Sequence, residues 1–368
     1  MRDADQALFY KPPMTSAPLP TERHSRRGLF IPFIIVGIAL ALWTVWWFWL
    51  ANEAKSQLQT RLDRLQASGW SVEHAGISAS GWPLHTRLTV KEGQFIAPSG
   101  HGIKAPSIAA EANTYNPLHW VVVADKGLTL VRAEKGETLV AAKAIRLSLT
   151  GIRQRWPNVA FEIAQPVFTP AEGAEPFPLA NAELIQLYMR PHLTSSTTPG
   201  DDVDIMFRLI QAHGREGGPV QGFAQNGELT LQVEAVVEKS SALRQPAAAA
   251  GLLSAWTANG GRFVNVKGEM KAGESQAVLT SPVLNADDKG QLEGEVQFKA
   301  VKPLAALVGL AGSHQGQPAE RAAAARAAAS APQGGEGEAA QDVELSVLFR
   351  KGRTYLGPFA LAPAPKLF

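Results

Sequence analysis

The first pattern along the chain is an unbroken apolar run from Leu29 to Ala51 that contains no charged residue. At 1.5 Å of rise per residue, about 20 such residues span the hydrocarbon core of a bilayer. The run therefore predicts a transmembrane helix over residues 28–51. Its far end carries an aromatic belt of the kind found at membrane interfaces, formed by Trp43, Trp46, Trp47 and Trp49.

The charges beside this run predict its orientation. Arg23, Arg26 and Arg27 precede it, and positive charge next to a first membrane segment stays on the cytoplasmic side. We therefore expect a disordered cytoplasmic tail over residues 1–27 and the bulk of the chain outside the cytoplasm. The alternative is a cleaved signal peptide, whose apolar core is only about 7–15 residues long and whose cleavage site follows small residues rather than tryptophans.

Residues 52–69 predict a helical stalk that continues the membrane helix. Leu58, Leu62 and Leu65 are spaced four and three residues apart, which places them on one face of a helix. Gly69 follows this segment and is a suitable helix stop.

From Trp70 onward, apolar and polar residues alternate with period two in short segments bounded by Gly, Pro, Asn or Asp. This alternation is typical of antiparallel strands. It predicts a mainly β fold of the α+β class, in which residues 70–310 form a large curved antiparallel sheet with a few short helices and residues 342–368 add C-terminal strands. A doubly wound fold is excluded because it needs helices between the strands. The predicted strands are Ser71–His74, Thr86–Phe95, Leu128–Arg132, Thr138–Ala141, Ile145–Thr150, Asn158–Ile163, Ala182–Arg190, Val203–Gln211, Gly227–Val237, Arg262–Met270, Gln276–Val283, Gln291–Phe298 and Asp342–Phe349.

Two helices are predicted among the late strands. Gln245–Thr257 has a proline near its start and is followed by Gly260 and Gly261, which is the usual asymmetry of helix ends. Val301–Leu310 is a shorter apolar segment with a proline in its first turn. Residues 311–341 are rich in Ala, Gly, Gln and Pro, a composition that predicts a solvated low-complexity insert.

Composition and charge narrow the possible functions. The chain has no cysteine, which excludes a thiol nucleophile and a disulfide framework. Its formal net charge is only +2 and it has no basic stripe, so we expect no nucleic-acid partner.

The sequence has no established catalytic or cofactor motif. It lacks HExxH, GxSxG, GxxxxGK[ST] and a GxGxxG after a strand, so we expect no catalytic residue, no cofactor and no metal. A metal shared by His74 and His85 is the alternative to two solvated histidines. The acidic cluster Asp201, Asp202 and Asp204 lacks the ligand spacing of a calcium loop and favours a solvated turn.

Four segments carry a family resemblance because of their order along the chain. They are the stalk before Gly69, the motif Gly81-Trp82-Pro83, the pattern Trp256 with Gly260-Gly261, and the tail with Gly352 and Gly357-Pro358. In this order they resemble DUF2125, a bacterial membrane-anchored periplasmic family of unknown function, over about residues 33–368, apart from the Ala-rich insert. The resemblance implies a cell inner membrane location with a periplasmic β-rich domain, and no known activity. A broader similarity to AsmA-type envelope proteins, whose curved sheets are linked to lipid movement, is an analogy.

We interpret the family motifs as structural. Gly81 can adopt a positive φ and Pro83 fixes its own φ, so the pair predicts a turn in which Trp82 covers one end of the sheet. The alternative role for Trp82 is contact with a ligand.

Two functions remain open. In the first, the protein is a non-enzymatic envelope protein whose curved sheet presents an apolar inner face to a lipid or a protein partner. In the second, it is a periplasmic hydrolase with an unrecognised site of His and Asp residues. A continuous apolar groove would favour the first, and a polar pocket with buried His and Asp would favour the second.

Overall fold

The computed structural model describes residues 27–193, 200–244, 252–302, 322, 343–357 and 359–367. The helices are α1 (Arg27–Ala67), α2 (Pro219–Phe223) and α3 (Leu252–Ala258), and short 3-10 helices lie at Ala133–Lys135 and Ser240–Arg244. The strands are β1 (Ser71–Glu73), β2 (Gly76–Ser80), β3 (His85–Ile96), β4 (His101–Asn113), β5 (Asn116–Val123), β6 (Leu128–Arg132), β7 (Glu137–Ala141), β8 (Ala144–Thr150), β9 (Asn158–Ala164), β10 (Val167–Pro170), β11 (Leu179–Asn181), β12 (Leu184–Pro191), β13 (Val203–Gly214), β14 (Leu229–Val237), β15 (Phe263–Ala272), β16 (Ser275–Ala286), β17 (Leu292–Val301), β18 (Val343–Arg350), β19 (Arg353–Leu356) and β20 (Phe359–Pro363).

Helix α1 joins the predicted membrane segment to the predicted stalk without a break, as expected. Its portion Phe30–Ala67 is long and apolar enough to cross a membrane. Gly69 adopts a φ of 92° just beyond the helix, a conformation that suits its predicted role as a helix stop. The chain divides into two compact units, and the second unit begins at Trp47. The second half of α1 therefore belongs to the same unit as the sheet.

This second half of α1 is not a free stalk, because its apolar side is buried at Trp47, Leu50, Ala51 and Leu62. The Trp47 indole N–H donates a hydrogen bond of 2.7 Å to the carbonyl of His85, where β3 begins. Beyond the end of α1, β1 pairs with the last residues of β3. Twenty helical residues span about 30 Å, which is close to the length of about 36 Å for β3. The helix therefore lies along β3 with its buried stripe against the sheet.

All the described strands belong to one antiparallel sheet of 20 strands, which confirms the predicted fold class. Strands β1 and β2 share one edge of β3, and β4 pairs with its other edge. From β4 the ladder continues in two halves, through β5, β8, β9 and β12 and through β6, β7, β10 and β11. Both halves reach β13, and β14 to β20 then follow in chain order.

A line of kinks divides these two halves. The strand pairing is interrupted at three residues with a left-handed backbone conformation, Glu92, Gln165 and Gln211, whose φ angles are 50°, 50° and 47°. The pairing register shifts beside Gln211. A bulge bends its strand, so these kinks in β3, between β9 and β10, and in β13 bend the sheet at corresponding positions. The largest hydrophobic cluster lies at this bend and contains Ala105, Ala124, Leu128, Val140, Ile145, Ile163 and Phe168.

Every strand predicted from the alternation is present, with ends shifted by at most three residues where the structure describes them. The strands predicted individually do not include β2, β4 and β5, the short β10 and β11, or β19 and β20 in the C-terminal segment. In β4 the buried positions are alanines, and β5 ends in three consecutive valines, so neither strand shows clear alternation between polar and large apolar residues.

Helix α3 begins inside the predicted helix Gln245–Thr257 and ends one residue beyond it, while residues 245–251 lie outside the described residues. The predicted helix Val301–Leu310 is wrong at its first residue, because Val301 pairs with Gln276 as the end of β17. Its residues 303–310 lie outside the described part, as do residues 1–26 and the predicted insert 311–341 apart from Ala322. The domain boundaries drawn from the sequence stay predictions.

Candidate functional site

The register of the sheet places side chains of opposite character on its two faces. Residues directly opposite each other in neighbouring antiparallel strands share a face. One row of such partners runs from β2 to β18 and contains only apolar residues and one glycine. Its members are Ala79, Leu88, Ala110, Val122, Leu147, Phe161, Leu187, Phe207, Val233, Gly268, Leu279, Phe298 and Leu345.

A second apolar row lies on the same face, two residues along each strand. It contains Ile145, Ile163, Ile185, Leu209, Leu231, Met270, Ala277 and Ala300. The row between these two points to the opposite face and is polar. It contains Arg146, Glu162, Gln186, Arg208, Gln232 and Glu269. We call the side of the first two rows the apolar face and the other side the polar face.

Much of the apolar face keeps contact with solvent. Leu88 in β3, which lies beside α1, is buried, but Phe161, Phe207 and Phe298 are only half-buried and Leu187 is 40% exposed. The buried residues form clusters of neighbouring strands and the loops at their ends. In the part of the chain that the structure describes, no second sheet covers this face. Accessible apolar surfaces are common at interaction sites, so the exposed part of this face is a candidate for one.

The polar face contains a cavity of about 740 Å³. It is lined by the neighbouring strands β8, β9, β12, β13, β14 and β15, with Ser148, Tyr188, Met206, Glu234 and Lys267 among its walls. Because one cavity contacts all these strands, the polar face is concave here. The expectation that the inner face of the curve is the apolar one therefore does not hold at this cavity.

One aspartate of the cavity wall, Asp204, contacts a histidine. The Asp204 carboxylate lies 2.5 Å from Nδ1 of His192 and accepts a hydrogen bond of 3.0 Å from Nε of Arg190. Arg190 and Asp204 are direct cross-strand partners. Among the described residues, no hydroxyl group is hydrogen-bonded to the other ring nitrogen of His192, whereas a hydrolase triad aligns a nucleophile there. The group is therefore an ion-pair network that joins β12 to β13.

The other two carboxylates of the acidic cluster have protein partners. Asp201 accepts a hydrogen bond of 2.6 Å from the Ser241 hydroxyl and forms an ion pair of 2.9 Å with Arg155. Asp202 accepts a bond of 3.1 Å from the backbone N–H of Lys239. These contacts tie the loop before β13 to the segment after β14 and give the cluster a structural role.

The metal site considered for His74 and His85 is not formed. His85 begins β3 and lies 3.3 Å from the carboxylate of Glu111. His74 lies next to Ala75, whose N–H donates to the carbonyl of Lys91. Positions 85 and 91 of one strand are about 20 Å apart at 3.3 Å per residue, so the two histidines cannot share an ion.

The first family motif forms the tight loop between β2 and β3. Gly81 has a φ of 103°, and a Cβ atom there would lie 2.8 Å from the His85 carbonyl oxygen. The His85 N–H closes the loop with a bond of 2.9 Å to the Gly81 carbonyl. Pro83 is half-buried, but Trp82 is 48% exposed. Trp82 is therefore not buried, and its role in covering the end of the sheet stays a prediction.

The second motif surrounds a fully buried tryptophan. Trp256 has no exposed surface, and its indole N–H donates a bond of 2.7 Å to the carbonyl of Glu238. Gly261 lies against the indole, since a Cβ atom there would be 2.2 Å from Trp256 Cε2. Gly260 adopts a φ of 71° just beyond α3. The Glu238 carboxylate accepts a hydrogen bond from Arg262 and raises the pKa of that guanidinium.

The C-terminal motif lies in turns. Gly352 connects β18 to β19 with a φ of 72°, and a Cβ atom there would lie 2.2 Å from the side-chain oxygen of Gln291. Gly357 follows β19 with a φ of 56°. Pro358 lies outside the described residues. The role of these motif residues beyond their turns stays a prediction.

Comparison with known proteins places the chain in a family without an assigned activity. A family model described as an uncharacterized protein conserved in bacteria matches residues 47–365. The match begins at Trp47, the first residue of the unit that contains the sheet. No curated protein and no solved structure matches the chain.

Proposed function

Since the chain belongs to DUF2125, a family of uncharacterized proteins conserved in bacteria, we propose its function from its geometry. It is a single-pass, membrane-anchored protein of the cell envelope, without catalytic activity, that binds the acyl chains of lipids on the apolar face of its sheet.

The anchor is supported by α1 and by the charges before it. Phe30–Ala67 is long and apolar enough to span a bilayer, and Arg23 and Arg26 favour a cytoplasmic N-terminus. The sheet then lies in the periplasm, held at the inner membrane. A cleaved signal peptide fits less well, because cleavage at the end of the apolar run would remove the buried Trp47 from the body and cut a continuous helix.

The observation that carries the binding proposal is the uninterrupted apolar row from Ala79 to Leu345. Its side chains offer no hydrogen-bond donor or acceptor, so a polar ligand would lose its bonds to water there without replacement. An acyl chain has no such bonds to lose and gains from leaving water. Helix α1 also holds the first strands of this face beside the end of the apolar run, next to the lipids of the bilayer.

Native mass spectrometry of the full-length protein in mild detergent tests the proposal with a matched pair of variants. Leu187 is 40% exposed on the apolar face and Val278 is 51% exposed on the polar face. We expect the wild-type protein and Val278→Glu to carry copurified lipid, and Leu187→Glu to lose most of it. Lipids held around α1 are common to all three proteins, so a difference in bound lipid between them reports lipid bound by the sheet.

Two results would reject lipid binding by this face. One is an equal amount of bound lipid in the two variants. The other is a stoichiometric protein partner, released by Leu187→Glu, in place of lipid.

The hydrolase alternative is favoured by one observation, the contact of His192 with Asp204 on the cavity wall. It predicts hydrolysis of an ester, amide or glycoside by the purified protein that His192→Ala abolishes. We expect no activity that depends on His192, because Arg190 also binds the Asp204 carboxylate.

A further inference from the structure

Large apolar side chains project from the loops at one edge of the sheet. Trp82, Leu84, Tyr115 and Ile152 are all exposed, and Tyr115 reaches 69%. They lie in the β2–β3, β4–β5 and β8–β9 connections, which fall at the same edge because these strands alternate in direction. We call these four residues the loop rim.

Backbone and side-chain hydrogen bonds join these loops. The N–H of Thr114, next to Tyr115, donates a bond of 2.9 Å to the carbonyl of Leu84. His119 and Ser148 lie 3.1 Å apart and connect β5 to β8 just inside the edge. The loop rim is therefore a continuous feature of one edge rather than scattered surface residues.

This edge lies where the apolar run of α1 ends. The indole of Trp47 binds the carbonyl of His85, the residue that follows Leu84. The charge-free run continues only to Ala51, so Trp47 lies in its last turns. Phe48 and Trp49 beside it are exposed, as the belt of aromatic residues at a membrane interface requires.

We propose that the loop rim inserts into the interfacial layer of the bilayer that α1 spans, and so makes a second membrane contact. The inference rests on the proposed function, since Trp47 marks the membrane boundary only in an anchored protein. Trp and Tyr favour this layer because one end of each ring system is apolar and the other is polar. Arg153 next to Ile152 is exposed and suits the anionic headgroups found there.

This second membrane contact sets the orientation of the sheet relative to the bilayer. Leu149, which is half-buried and lies two residues beyond Leu147 on the apolar face, is only three residues from Ile152, or about 10 Å at 3.3 Å per residue. With the loop rim in the interface, the apolar face begins close to the bilayer surface. A lipid then reaches this face without crossing a layer of water.

The absence of cysteine from the chain makes the test direct. Single cysteines replace Tyr115 and Trp82 in the rim, Leu42 in the apolar run, and Glu172 in the β10–β11 loop at the opposite edge. Each full-length protein carries an environment-sensitive fluorophore on its cysteine and is reconstituted into vesicles of phosphatidylethanolamine and phosphatidylglycerol. Quenching by lipids with a spin label near the headgroup or along the acyl chain reports contact with the bilayer.

We expect the fluorescence of the labels at positions 115 and 82 to fall several-fold with quenchers near the headgroup. The fluorescence of the label at 42 should fall with quenchers along the acyl chain. The label at 172 should be quenched by neither. Quenching at 42 but not at 115 and 82 would overturn the rim contact and leave the anchor intact. Absence of quenching at 42 as well would reject the anchor, and this inference with it. Tyr115→Cys decides the matter if Trp82→Cys fails to fold, because position 115 is the more exposed.

Discussion

At the scale of single residues, the two motif tryptophans differ in what surrounds them. Trp256 is fully buried with its indole N–H bonded, whereas Trp82 is 48% exposed. We expect Trp256→Ala to lower the free energy of unfolding by about 3–5 kcal/mol, as is typical of truncated core aromatics. Trp82→Ala should cost clearly less, about 1–2 kcal/mol, because only about half of its side chain is removed from water. Chemical denaturation of the full-length protein in mild detergent measures both, and equal losses would contradict this distinction.

A second prediction concerns Gly261, which contacts the ring of Trp256. An added methyl group would lie 2.2 Å from the indole, so Gly261→Ala should cost about 1–3 kcal/mol as an overpacked core does. Gly200 is the control, since the nearest atom of the described residues would be 4.0 Å from an added Cβ. Gly200→Ala should change stability by less than about 1 kcal/mol. The same denaturation experiment applies, and a neutral Gly261→Ala would mean that the indole moves aside freely.

The sequence predicts the local backbone conformation at these residues better than it predicts their burial. Gly81 and Pro83 predict the turn that the structure contains, because both act on the local backbone. The exposure of Trp82 depends on what lies beyond the edge of β3, which no local pattern encodes. The burial of Trp256 likewise depends on the carbonyl of Glu238, just after β14, and on Gly261, in the turn between α3 and β15.

At the scale of elements, the packing of α1 along β3 is the least expected contact. Leu62 lies in the buried stripe of the helix, while Leu65 is exposed one turn later. Leu62→Asp should lower the free energy of unfolding by more than about 2 kcal/mol, because it buries a charge without a partner. Leu65→Asp should have little effect. Thermal unfolding followed by the sheet signal in circular dichroism distinguishes the two, and equal midpoints would indicate a helix that stands free of the sheet.

Local periodicity predicts elements well wherever one face is buried and the other is solvated. This is why the alternation locates strands such as β8, β12 and β18, and why the spacing of Leu58, Leu62 and Leu65 predicts a helix. It fails for β4, where alanines replace large apolar residues at the buried positions. The leucine spacing also does not identify the surface that buries the helix, since it shows only that one helix face is apolar.

At the scale of the whole molecule, the orientation across the membrane is open to a direct test. The arginines before the apolar run predict a cytoplasmic N-terminus and a periplasmic sheet. Alkaline phosphatase fused after Phe368 should therefore be active in intact cells, because it folds only outside the cytoplasm. A cytoplasmic reporter at the same position should be silent, and the reverse result would invert the topology.

The apolar face itself could not be derived from the sequence. Each strand shows which of its residues are apolar, but the row from Ala79 to Leu345 depends on the register of every pair between β2 and β18. A shift of one residue in any pair would send the following strands to the opposite face. The cavity on the polar face depends in the same way on curvature, which arises from kinks spread over distant parts of the chain.

Photocrosslinking to lipid tests the central claim most directly. Cells that contain the full-length protein incorporate a phospholipid with a photoreactive group in its acyl chain, and the adducts are mapped by mass spectrometry after irradiation. Lipid binding by the apolar face predicts adducts beyond α1 at alternate positions, on Phe207 and Val233 but not on their neighbours Arg208 and Gln232. Adducts confined to α1, or spread equally over both faces of the sheet, would contradict the account.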